Sequence, residues 1–211
     1  MEHVRVSPVA SPRPLRIGII GFGALGQFLL DRLLAVAATA SLAAAPPSRS
    51  VEIAFVWNRT VDKVREWISA HNAAISECPS DHLTAAPLSP NVVLEDLNDF
   101  ESRRADVLIE VAHPGLYKLY GRRWATAAHV VVGSPTALAD DSVEKDVVGA
   151  AADASHRLFL AVGALWGAQD IAKMWQRGNV TSLHITMKKP ATSMRLEEPL
   201  NSKLDDFVRS G

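Results

Sequence analysis

The 211-residue chain has a single cysteine, Cys78. One cysteine excludes an internal disulfide framework and a multi-cysteine metal cage, and it suits a reducing compartment. Cys78 stands among Pro79, Ser80 and Asp81 and reads as a loop residue without a chemical role. An excess of one charge is also missing. The 22 Lys+Arg against 23 Asp+Glu leave a net charge of −1. With no basic block to follow a phosphate backbone, nucleic acid is not expected as a partner. Long apolar runs are absent too. The longest, Leu33–Ala45, is mostly alanine and is broken by Thr39 and Ser41, whereas a membrane span needs ~20 strongly apolar residues. The segment Met1–Pro14 has prolines and arginines but no apolar stretch of the secretory kind. It reads as a mobile tail, and a cytoplasmic location is expected. H-E-x-x-H, G-x-S-x-G and G-K-[ST] do not occur. His71, His82, His129, His156 and His184 lack metal-ligand spacing, so no metal is expected.

The remaining composition is that of an ordinary globular protein, 48% hydrophobic and 21% charged. Short apolar runs alternate with helical periodicity. Strands are expected at Leu15–Ile20, Val51–Trp57, Val92–Leu94, Ala105–Ala112, His129–Gly133 and Leu158–Val162. Helices are expected from Ala24 into the alanine-rich stretch before Pro46, then over Val61–Ala70, Leu116–Ala127, Ser142–Ala154 and Gly167–Arg177. The punctuated stretch 71–90 reads as a loop, and Val180–Met187 as a strand of a second sheet. The alternation predicts an α/β fold: a doubly wound parallel sheet of Rossmann type, then an incomplete second α+β domain. The expected divisions are a tail at 1–14, a dinucleotide-binding domain at 15–162 and the start of a further domain at 163–211.

Gly21, Phe22, Gly23, Ala24, Leu25 and Gly26 form G-x-G-x-x-G directly after the first strand and at the opening of a helix. That context makes the pattern informative. Gly21 would allow the tight turn, Gly23 the approach of a pyrophosphate, and Gly26 close packing of helix on strand. The helix N-terminus offers N–H groups and partial positive charge to phosphates. At the end of the second strand, where an acid usually meets the ribose of NAD, stand Asn58 and Arg59. Asn58 can hydrogen-bond a ribose hydroxyl without repelling a 2′-phosphate. Arg59 can pair with that phosphate or stack on adenine. NADP or NAD is therefore the expected cofactor.

Later strand ends carry further candidates. His113 either donates to a ribose hydroxyl, faces a substrate, or orders its own loop. Glu110, inside an apolar strand, needs either polar ligand groups or a buried partner. The small residues of 133–139 leave room for a nicotinamide against the backbone, and Asp140 is placed to cap the next helix. In 163–170, Trp166 reads as a core or interface anchor, and Asp170 as a cap or ion-pair residue.

Segments 21–26, 55–59, 110–114, 132–140 and 163–171, followed by 182–189 and 195–200, together resemble the animal L-aspartate dehydrogenase family. The resemblance implies oxidation of L-aspartate by NAD(P)+ to iminoaspartate, which hydrolyses to oxaloacetate and ammonia or enters NAD biosynthesis. It also implies a small-molecule substrate and a homo-oligomer. By the matching motif Ala137 and its neighbours, Ser134 among them, would contact the cofactor, and Ala112 and His113 at the end of the fourth strand are expected as cofactor-binding residues from their place in the fold. The family's second domain carries a catalytic histidine that has no matching position here. On this resemblance the chain is expected to be a C-terminally truncated form, with no catalytic residue assigned. A non-catalytic NAD(P)-binding regulator or partner of full-length subunits is the alternative expectation.

Overall fold

The computed structural model describes residues 13–42, 50–77, 87–161 and 167–210, apart from positions 187, 189, 195 and 197. Cys78, His82, Val162 and Trp166 lie outside the described residues. The chain divides into two compact units, Met1–Gly163 and Ala164–Gly211.

The first unit is built on one sheet. Its strands are β1 (Leu15–Ile20), β2 (Val51–Trp57), β3 (Val93–Leu94), β4 (Val107–Glu110), β5 (His129–Val132) and β6 (Leu158–Leu160). They lie in the order β3-β2-β1-β4-β5-β6, and every neighbouring pair is parallel. Parallel neighbours require crossovers, which α1 (Ala24–Leu42), α2 (Val61–Glu77), α3 (Tyr117–Ala127) and α4 (Asp141–Asp153) supply. Between β3 and β4 the link is a 3-10 helix, Leu97–Arg103.

The strands are apolar without strict alternation because both faces are covered. Ile19 and Ile20 are each fully buried, in two different clusters. One cluster joins Ile19 to Leu30 of α1 and Val64 and Ile68 of α2. The other joins Ile20 to Trp124 of α3 and Val147 of α4. The order of strands reverses direction at β1, so β1 and β4 meet at the topological switch.

Two expectations are corrected. The stretch 71–90 is not all loop, since α2 continues to Glu77. Its Asn and Ser residues read as breakers, yet Asn72 serves a tertiary purpose. Its Oδ1 accepts the Leu88 N–H and its Nδ2 donates to the Leu88 carbonyl, both at 2.9 Å. This clamps the helix to the segment before β3. Stacking of Trp67 on His71, centroids 4.8 Å apart, extends the same helix.

The second correction concerns the second unit, which contains α5 (Ala168–Gln176), a 3-10 turn Ala191–Ser193 and α6 (Leu200–Ser210). The described residues of 180–187 form no strand. A strand needs a ladder partner, and the described elements of this unit are helical. Helix α6 was not anticipated, although Leu200, Leu204, Phe207 and Val208 recur at helical spacing. Among the described residues no helix is long and apolar enough to cross a membrane.

Asp140 caps α4, accepting the Ser142 N–H at 3.1 Å and the Ser142 hydroxyl at 2.6 Å, and it pairs with Lys118. The Ser142 hydroxyl bond, then Lys118, hold its carboxyl well below the usual carboxylate range. A carboxyl depressed in the folded state stabilises fully above its unfolded value of about 3.9, and this is lost as pH falls toward the lower folded value. Asp140→Ala should therefore lower Tm at pH 7, with the gap to the parent protein narrowing below about pH 4 in thermal scans. A gap constant down to pH 2 would contradict the assignment.

Candidate functional site

At the carboxyl end of β1 the chain turns through Gly21, whose φ is +106°. Its N–H donates to the Trp57 carbonyl at 2.8 Å. A Cβ there would lie 2.7 Å from the Ala112 nitrogen and the Val111 carbonyl carbon. A Cβ on Gly26 would collide with the Gly21 carbonyl oxygen, so α1 sits tightly on the turn. Gly23 differs, because its missing Cβ would meet nothing within 4 Å. No neighbour inside the chain needs that space. It is room that a ligand at the helix N-terminus would use, where the first-turn N–H groups have no intrahelical acceptor. Ala24 and Leu25 are exposed on that first turn. Phe22 is buried edge-on against Trp67, so its contribution to a ligand would come from its backbone.

Asn58 ties the two neighbouring strand ends together. Its Oδ1 accepts the Phe22 N–H at 3.2 Å and its Nδ2 donates to the Thr60 carbonyl at 3.0 Å. Arg59 is exposed, with no ion pair among the described residues. His113 orders its own turn, with Nδ1 accepting the Gly115 N–H at 3.0 Å. In the neutral ring the proton then sits on Nε2.

A cleft of about 530 Å³ brings Gly21, Phe22, Gly23, Asn58, Arg59, Ala112 and His113 together. Trp57, Val111, Gly115, Leu116 and Leu119 complete its lining. Sequence reasoning missed these last residues, since periodicity located the start of α3 but not the face it turns to the cleft. Ala24, Leu25, Gly26, Ser134 and Ala137 do not line it. Gly26 lies under the turn, and Ala137 is buried in the core beside α4. Ser134 is half-buried and directed at Glu110.

Glu110 has the buried partners that its position demands. It is fully buried and accepts from Ala112 N (2.7 Å), His113 N (3.0 Å), Ser134 N (3.1 Å) and Ser134 Oγ (3.0 Å). Tyr117 stands close by. Burial, and then the charge of Glu110, push its phenol far above the ordinary range, while its hydroxyl makes no hydrogen bond of standard geometry.

A second concavity, about 700 Å³, lies around Arg13, Arg16, Arg104 and Asp106 at the amino ends of β1 and β4. Its cations are largely engaged, Arg13 with Asp106 and Arg16 with Glu52. The 530 Å³ cleft lies where a doubly wound sheet takes a ligand, outside the carboxyl ends at the switch point. Among the described residues no cluster of three His, Cys, Asp or Glu side chains could hold a metal ion.

The sequence profile of the family described as "Homoserine dehydrogenase, NAD binding domain" matches residues 21–161, from the glycine turn to the end of β6. The chain belongs to this family. It is also 35% identical over 195 residues to an aspartate dehydrogenase domain-containing protein of Xenopus tropicalis, a match covering 92% of the chain and 58% of that protein. A Danio rerio protein of the same name is 36% identical over 184 residues, covering 87% of the chain and 56% of that protein. The NAD-binding chain thus spans a little over half the length of these relatives. A crystal structure of aspartate dehydrogenase from Thermotoga maritima superposes with a TM-score of 0.46 at 14% identity, covering 77% of the chain and 52% of that structure.

Proposed function

We propose that the cleft binds NADP(H) or NAD(H), and that the chain is the nucleotide-binding part of an oxidoreductase of the L-aspartate dehydrogenase type. The observation that carries this reading is the open space at Gly23, above the N-terminus of α1 and in the same cleft as Arg59. Gly21 and Gly26 are glycines for reasons inside the chain, whereas Gly23 leaves room only for something from outside. The pyrophosphate lies on the N–H groups of the first turn of α1, and Arg59 takes the 2′-phosphate of NADP or stacks on adenine. Asn58 holds the turn in place through Phe22. The bound nicotinamide supplies the hydride acceptor. L-Aspartate gives the hydride of its α-carbon and a proton, leaving iminoaspartate, and water then releases oxaloacetate and ammonia. The protein acts in this reading as a cytoplasmic homo-oligomer on a small dicarboxylate.

Arg59→Ala separates the cofactors. It should weaken NADPH binding by about tenfold or more through loss of a charge-assisted contact, and leave NADH within about twofold. Titration of each nucleotide into parent and variant protein, followed by calorimetry, checks this. Equal loss for both would remove Arg59 from the specificity role. Activity is read at 340 nm, with aspartate and NADP+ in one direction and with oxaloacetate, ammonia and NADPH in the other.

A second reading is nucleotide binding without turnover, as a regulator or partner of longer subunits. It is favoured by the ionisable side chains that line the cleft among the described residues, Arg59 and His113, with one ring nitrogen of His113 already engaged. A rise in Tm with NADPH and no change at 340 nm by the folded protein would select it.

A further inference from the structure

Among the described residues Glu110 is the one buried charged side chain. It ends β4 beside Ile20 of β1 on one side and Val132 of β5 on the other. An apolar side chain would fill such a place at less desolvation cost. The carboxylate instead collects donors from two separate loops. Oε1 takes the N–H groups of Ala112 and His113 after β4, and the Ser134 hydroxyl after β5. Oε2 takes the Ser134 N–H. The backbone completes the tie, since the Glu110 carbonyl accepts the Gly133 N–H at 2.8 Å, and a Cβ on Gly133 would collide with that oxygen.

We propose that Glu110 is a positioning residue for the nicotinamide half of the dinucleotide, bracing the loop after β4, which lines the cleft, against the loop after β5 behind it. The proposal rests on the nucleotide reading above. Strand order supplies the direction. The phosphates sit at the turn after β1, and the adenosine half lies toward β2 and Arg59, so the other half falls toward β4 and β5. Turning the N–H groups of Ala112, His113 and Ser134 onto Glu110 also orients the preceding peptide planes. In a trans peptide the carbonyl points opposite to the N–H. The carbonyls of Val111, Ala112 and Gly133 therefore point away from the carboxylate. Val111 and Ala112 line the cleft, and outward carbonyls there suit the donors of that half, ribose hydroxyls and a carboxamide NH2.

Glu110→Gln keeps the shape and replaces one acceptor oxygen by a donor. In one orientation the Ser134 N–H then faces an NH2 group; in the other, the N–H groups of Ala112 and His113 do. Ser134→Ala removes only the hydroxyl bond between the loops. The test is calorimetric affinity for the dinucleotide bound more tightly, NADPH or NADH, and for its matching adenosine fragment, 2′,5′-ADP or ADP. Glu110→Gln should weaken the dinucleotide about tenfold or more and the fragment by no more than about twofold, with Ser134→Ala smaller in the same sense. Parallel loss of both ligands, or loss of neither, overturns the positioning role, because general damage to the fold does not distinguish the two halves. If Glu110→Gln does not fold, the dinucleotide-to-fragment ratio of Ser134→Ala decides alone. Failure of the parent protein to bind either ligand would refute the nucleotide reading itself, and the positioning role with it.

Discussion

Gly23→Ala should fold with an unchanged Tm and lose about tenfold or more in affinity for NAD(P)H, as expected when a methyl group intrudes on a close contact. Gly21→Ala should behave differently, with Tm falling before any ligand is added. The contrast comes from what each missing Cβ would meet. At Gly23 it would meet nothing within 4 Å, so the unliganded protein has no reason to resist the methyl. At Gly21 the backbone is in the left-handed half of conformational space, and the methyl would lie 2.7 Å from backbone atoms of Val111 and Ala112. Strain and overlap together should destabilise by roughly 3 kcal/mol, or roughly 6–12 °C in Tm for a chain of this size. Thermal scans with and without nucleotide read both effects at once. If Gly23→Ala bound NADPH as tightly as the parent, the phosphates would not approach this turn, and the cleft would need another occupant.

Trp124→Ala should be the most damaging single truncation in the first unit, costing about 3–5 kcal/mol in denaturant unfolding. Trp124 is fully buried at the centre of the cluster that joins the sheet to α3 and α4. It meets Tyr117 edge-on at 5.2 Å and stacks on Tyr120 at 5.7 Å. The same cluster holds Leu108, Val130 and Val132 of the sheet, so truncation opens a cavity in the packed interior. The indole Nε1 makes no hydrogen bond, so Trp124→Phe loses volume and contact without leaving an acceptor unpaired, and should fall between parent and alanine variant. A loss below about 1 kcal/mol for Trp124→Ala would show that the cluster repacks and is not the main anchor of α3.

Much of the architecture was legible beforehand because it depends on local periodicity. Apolar strands of β1, β2 and β5 are followed by helices with a broad apolar side, and that alternation specifies a parallel sheet covered on both faces. The glycine turn was legible because its spacing directly follows an apolar strand and opens a helix, and two of its positions, Gly21 and Gly26, leave no room for a Cβ. Asp140 was readable as a cap from its place before an apolar-periodic run. The errors fell where local rules conflict with distant contacts. Asn72 looks like a helix breaker until Leu88 is seen to occupy both ends of its amide. The alternation in 180–187 resembles a strand, but pairing is a property of two segments.

The candidate site divides in the same way. Gly21, Gly23, Gly26 and Arg59 could be nominated from sequence because a missing Cβ and a guanidinium charge are properties of the residue type itself. The sequence by itself determined the fold class and the glycine turn between β1 and α1. Tertiary structure decided that Asn58 braces the turn, that Ser134 faces Glu110 and not the cleft, and that Glu110 joins its own loop to Ser134, 24 residues further along the chain. The physical reason is that a side chain's hydrogen-bond capacity is fixed by its type, whereas its partners are set by which strand ends the sheet order brings side by side.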